Sequence, residues 1–270
     1  MRPARVTATA ALASAALLGL TACNGSGSGS DDAKPGKTNT PAAPSASPSP
    51  SKHPFNDLSG PDIAQKALTA TRAATSLRVE GQVIEDGKPM SLDLAISKAG
   101  DCAGTVSMQG QGSMKIIKDS KLLYFKADKQ FYRASLKGES EETKQAVVKQ
   151  LADRWVKKTA TSTEAKEMAK VCDLDELLDE FGSLPLARKG QETKLPAGPA
   201  WTLTNAGKDG DETYWVAMEG EPYFLKTTVT GKETGEIAFS EFNKPVNTQA
   251  PTDKDIVDGD KLEGGPSEKA

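Results

Sequence analysis

Catalysis in a protein chain rests mostly on histidines, cysteines and paired carboxylates, and this sequence is sparing with the first two. Its single histidine, His53, lies in a proline-rich stretch. A serine or cysteine hydrolase relying on an imidazole base is therefore excluded, as is a His-ligated metal site. No glycine-rich phosphate loop of standard spacing is present. Glu80 and Asp93, on neighbouring predicted strands, are the carboxylate pair nearest to a glycosidase dyad. Both fall on the polar phase of their strands, away from any apolar cleft. The run Asp173, Asp175, Glu176, Asp179 and Glu180 lacks the spacing of a calcium loop, and its first three members stand where a helix start takes negative charge. Asn205, Asp209 and Asp211 alternate with glycines, as a hairpin turn requires. Trp155, Trp201 and Trp215 either line a groove or pack in a core and along strand edges. The chemistry on offer is that of a binding protein, with no catalytic residues, cofactor or metal expected.

The three cysteines divide by position. Arg2 and Arg5 precede an apolar run from Ala8 to Leu20 that ends in small residues, the pattern of a secretory signal. With Cys23 directly after Leu20-Thr21-Ala22, the segment resembles a bacterial lipoprotein signal with its lipobox. That resemblance implies cleavage after residue 22 and diacylation of Cys23 as the first residue of the mature chain. The alternatives are a plain signal with an incidental cysteine, or an uncleaved helix, for which the run falls short of the roughly 20 residues a membrane span needs. Cys102 and Cys172 remain, and an even pair in an exported protein reads as one disulfide, the alternative being two buried thiols. Loss of Arg2 and Arg5 leaves the mature chain two charges more negative than the −3 of the whole. That balance opposes a nucleic-acid partner.

The secondary-structure elements that carry these residues occupy the middle of the chain. Residues 23–54 are Gly/Ser-rich, then Pro/Ala/Ser-rich, and are predicted to stay disordered. They form a tether of roughly 30 Å root-mean-square span. Residues 55–245 are the folded domain, and residues 246–270 a polar tail. Ser59 is a predicted N-cap, with Ile63, Ala67, Leu68, Thr71 and Ala74 at helical spacing behind it. The period then changes to two: Leu77, Val79, Gly81 and Val83 alternate with Arg78, Glu80 and Gln82 before an Asp86-Gly87 turn. Met90, Leu92, Leu94 and Ile96 alternate in the next strand. Further strands are predicted at 102–109, 112–118, 121–127 and 130–134, then 200–205, 212–218, 223–230 and 234–242. A helical interlude lies between the two blocks. Residues 139–152 carry Val147 and Leu151; residues 154–159 read as a short strand or an extended link. Asp173 then caps a helix whose stripe is Leu174, Leu177, Leu178 and Phe181.

The fold class is α+β: a curled antiparallel sheet of about ten strands, with helices covering its concave apolar face. Met90, Leu92, Leu94, Ile96, Val106, Met108, Met114 and Ile116 point to that face, opposite Val147, Leu151, Leu174, Leu177, Leu178 and Phe181. These residues either line a cavity, for which flexible methionines suit an adaptable ligand, or make a packed core.

The order of elements, the Ser76-Leu77-Arg78-Val79-Glu80-Gly81 strand and the Asp101-Cys102-Ala103-Gly104 turn resemble the actinobacterial LppX/LprAFG lipoproteins. Those share the half-barrel of LolA-type carriers. The resemblance implies a lipid or glycolipid ligand held between sheet and helices, on a protein anchored at the extracytoplasmic face of the cell membrane through Cys23. A surface interaction module with a filled core is the competing expectation.

Overall fold

The computed structural model describes residues 54–85, 87–179, 184–207, 210–231 and 234–262. Cys23, the signal segment, nearly all of the tether, Glu180 and Phe181 lie outside the described residues.

The first element is helix α1, Gly60–Ala73. Ser59 starts it with a capping box, its hydroxyl accepting from Asp62 N while the Asp62 carboxylate accepts from Ser59 N. Ile63, Ala64, Ala67, Leu68 and Thr71 form its buried stripe, and the small residues let it lie close on a sheet.

A meander of five strands follows: β1 Ser76–Glu85, β2 Lys88–Ser97, β3 Cys102–Met108, β4 Gly112–Lys118 and β5 Leu122–Ala127. Next come α2 Lys129–Ser135, α3 Glu141–Leu151, β6 Trp155–Thr159 and α4 Thr163–Met168. A 3-10 turn, Lys170–Cys172, leads into α5, Leu174–Asp179. The second block is β7 Arg188–Leu195, β8 Gly198–Ala206, β9 Gly210–Ala217, β10 Phe224–Gly231 and β11 Gly235–Ser240, with β12 Val257–Asp258 near the end.

All twelve strands make one open sheet in the order β12-β6-β5-β4-β3-β2-β1-β11-β10-β9-β8-β7. The second block returns to pair β11 with β1, and every pairing is antiparallel except β12 with β6.

Three differences from the sequence expectation have physical causes. Residues 130–134 are helical, within α2, because the Asp128 carboxylate accepts from Phe131 N at 2.7 Å and caps a turn. Five residues are too few for periodicity to separate strand from helix. Strand β7 lies at the sheet edge, where mostly exposed polar side chains replace alternation. The segment expected as a polar tail supplies β12, with Val257 packed against the core.

Register aligns the inner-face side chains in rows across the sheet. One row runs Leu203, Tyr214, Thr227, Ile237, Gly81, Leu92, Val106 and Met114. A second runs Asn205, Glu212, Val229, Gly235, Val83, Met90 and Met108.

Candidate ligand-binding cavity

Near the middle of the inner face the rows do not close into a solid core. A cavity of about 680 Å³ lies between the strands β2, β1, β11 and β10 and the segment carrying α5. Val79, Val83, Met90, Leu92, Leu94 and Ile96 supply the wall on one side, Thr227, Val229 and Ile237 that on the other. Gly81 stands between Ile237 and Leu92 in the same row. A Cβ there would come within 2.0 Å of the Glu236 carbonyl oxygen, so the close approach of β1 and β11 requires glycine.

The roof is the 3-10 turn and the start of α5, through Lys170, Val171, Asp173, Glu176 and Leu177. Three restraints hold it down. Leu174 and Leu178 are buried in the core. Arg72 of α1 pairs with Asp179 at 3.1 Å. The Cys102–Cys172 disulfide ties the turn to the first residue of β3 across 5.6 Å between Cα atoms. Two of the roof's charged groups have partners: the Lys170 ammonium donates to the Glu167 carboxylate of α4, which raises its pKa, and Asp173 accepts from Glu176 N at 3.0 Å as the helix cap.

The residues expected on this face separate into groups. Met90, Leu92, Leu94, Ile96 and Leu177 line the cavity. Val106, Met108 and Met114 line a second recess of about 220 Å³ beside Phe131 and Ala134 of α2. Met90 and Met108 are direct cross-strand partners, so the two spaces sit on adjacent strands of one surface. Ile116, Leu174 and Leu178 are fully buried core, and Val147 and Leu151 pack half-buried against it from α3. Val229, Ile237 and Val171 were not foreseen. The alternation of β10 and β11 signals inward residues, but only the return of β11 to β1 makes them a cavity wall.

Carboxylates weighed for catalysis or for a cation site have structural partners. Glu80 and Asp93 face each other on the outer side of β1 and β2. Arg78 binds both, at 3.4 and 2.7 Å. Asp175 lies 3.9 Å from Lys98. No group of three or more His, Cys, Asp or Glu positioned for a metal occurs among the described residues. Trp201 and Trp215 lie under the ammonium groups of Lys189 and Lys226, at 5.1 and 5.2 Å from the ring centres. Trp155 is half-buried on β6. Burial pushes the Tyr132 phenol up to about 12, so it remains protonated. No helix among the described residues is long and apolar enough to cross a membrane.

The chain matches no protein-family model and no curated protein. Among solved structures it is similar to the Mycobacterium tuberculosis lipoprotein LppX, at 14% identity and a TM-score of 0.45, over 70% of this chain and 97% of that one. It is also similar to LprF from Mycobacterium bovis, at 12% identity and a TM-score of 0.49, over 71% and 96% of the two chains. An uncharacterised protein from Thermus thermophilus is 13% identical, with a TM-score of 0.33 over 73% and 97%.

Proposed function

We propose that the chain is a membrane-anchored, extracytoplasmic lipoprotein that binds a lipid or other hydrophobic ligand between sheet and helices and performs no chemistry on it. One observation carries this reading: a cavity of about 680 Å³ with predominantly aliphatic walls, within the roughly 300–1,000 Å³ typical of ligand sites. The competing expectation, an interaction module with a filled core, calls for no such apolar space. Cys23 is assigned as the acylated residue on its place after Leu20-Thr21-Ala22. Two acyl chains there give stable attachment, each buried CH₂ contributing about 0.8 kcal/mol.

The test is native mass spectrometry of the full chain carrying Cys23→Ser, exported and purified without detergent. A bound mass that leaves on denaturation, and is absent when Leu92→Trp fills the cavity, is the expected result. A bare mass, together with no displacement of a fluorescent fatty acid, would overturn the reading.

A further inference from the structure

A polar side chain taken out of water needs a hydrogen-bond partner, or it costs stability. Among the described residues four polar side chains are buried: Thr71, Ser76, Lys158 and Thr227. Three of them are matched. The Thr71 hydroxyl accepts from Phe224 N at 3.0 Å, Ser76 Oγ donates to the Lys244 carbonyl at 2.6 Å, and the Lys158 ammonium lies 3.7 Å from the Glu164 carboxylate. Thr227 is only 7% exposed, yet its hydroxyl makes no hydrogen bond among the described residues. It is also the one member of the four that lines the cavity.

Its surroundings explain why the sheet offers it nothing. Thr227 stands mid-strand in β10 on the inner face, opposite Tyr214 on one side and Ile237 on the other. The Tyr214 hydroxyl is committed to Glu212 at 2.9 Å. Val229, the next inward residue of β10, is aliphatic and lines the same wall. The charged groups that border the cavity, Lys170, Asp173 and Glu176, belong to the roof. Valine has nearly the shape of threonine, suits a strand equally well and would leave no hydroxyl unpaired. Threonine here places one polar atom in an otherwise aliphatic wall.

We propose that the Thr227 hydroxyl is the internal polar contact of the ligand site, donating to a neutral acyl carbonyl, an ester or an amide, that lies inside the cavity. The inference rests on the cavity reading above and adds to it the chemistry of the buried part of the ligand. A carbonyl is only an acceptor, so a single donor satisfies it. With an alcohol, one of the two O–H groups is left without an acceptor, and a carboxylate brings a desolvated charge.

The experiment displaces diphenylhexatriene, a fluorescent hydrocarbon, from the full chain carrying Cys23→Ser. The competitors are a monoacylglycerol and the monoalkylglycerol of equal chain length, which differ by a carbonyl in place of a methylene. The acyl compound is expected to bind about fivefold tighter, the size of one net hydrogen bond. With Thr227→Val added, the two should bind within about twofold of each other, and Thr227→Ser should restore the preference. Each ratio is taken within one variant, so a change in probe affinity cancels. The thermal midpoint of ligand-free Thr227→Val should equal or exceed that of the chain with Thr227, since no partner is lost. A lower midpoint would show that the hydroxyl serves the fold, and overturns the proposal. Equal binding of the two lipids by the chain with Thr227 overturns it without any variant having to fold. A preference that survives in Thr227→Val overturns it as well. If neither the probe nor either lipid binds, the cavity reading itself falls, and the Thr227 contact with it.

Discussion

At the scale of single residues, the close approach of β1 and β11 depends on the missing side chain at Gly81. The neighbouring β11 backbone fills the place where a Cβ would stand, at 2.0 Å from the Glu236 oxygen and 2.9 Å from Ile237 Cα. Gly81→Ala must therefore spread β1 from β11. Such overpacking costs about 1–3 kcal/mol. Gly87 provides the contrast: it turns the β1–β2 hairpin at φ +74°, with nothing within 4 Å of its absent Cβ. Gly87→Ala costs only backbone strain, about 1 kcal/mol. Urea unfolding of both variants checks the ordering, and a smaller loss for Gly81→Ala than for Gly87→Ala would show that the strands adjust freely. Arg78 illustrates how a catalytic-looking pair dissolves at this scale. Glu80 and Asp93 are opposite one another, and their mutual repulsion is offset by the guanidinium that binds both.

At the scale of elements, the cavity roof is a short segment whose own helix, Leu174–Asp179, is too brief to be stable alone. The disulfide closes a sequence separation of 70 residues, worth about 4 kcal/mol in the chain-entropy account. Replacing both Cys102 and Cys172 by alanine is expected to lower stability by up to that amount. It should also free the turn bearing Lys170 and Val171, so that a bound fluorescent lipid dissociates faster than from the intact protein. Hydrogen exchange of residues 170–177 gives the direct readout. Unchanged protection there would mean that Leu174, Leu178 and the Arg72–Asp179 pair hold the roof unaided. The edges of the sheet are managed differently. Strand β12 lies against β6, while β7 stays on the rim with lysine and glutamate side chains exposed along it.

At the scale of the whole molecule, charge rather than histidine sets the response to pH. Asp62, Asp119 and Asp260 are all held below the usual aspartate value of 3.8 by hydrogen bonds, from Ser59, from Leu122 and Lys121, and from Thr159 respectively. Each binds its proton less readily when folded. Their contribution to stability is therefore present above 3.8 and is lost as pH falls through the lowered folded values. The three sites are exposed, so each effect is small, but they join α1 to its entry, β4 to β5 and the C-terminal segment to β6. The thermal midpoint should be level from pH 8 to 6 and decline below about pH 4. A decline centred near neutrality would contradict this account.

Local features are written in the chain itself. Alternation at Leu77 to Val83 and Met90 to Ile96, the cap at Ser59, the stripe from Leu174 and the even cysteine pair each depend on neighbours a few residues apart or on composition, and all were legible. Residues 130–134 and β7 were not, because five residues do not establish a period and an edge strand has no buried face to encode. Where β11 returns is a matter of tertiary contacts, and with it the placement of Val229 and Ile237 across from Leu92. The same contacts settle which inward residues line space and which fill it: Ile96 and Ile116 both face inward, yet only the first borders the cavity. That division follows from strand register and from how closely the roof descends, both set by contacts between residues far apart in the chain.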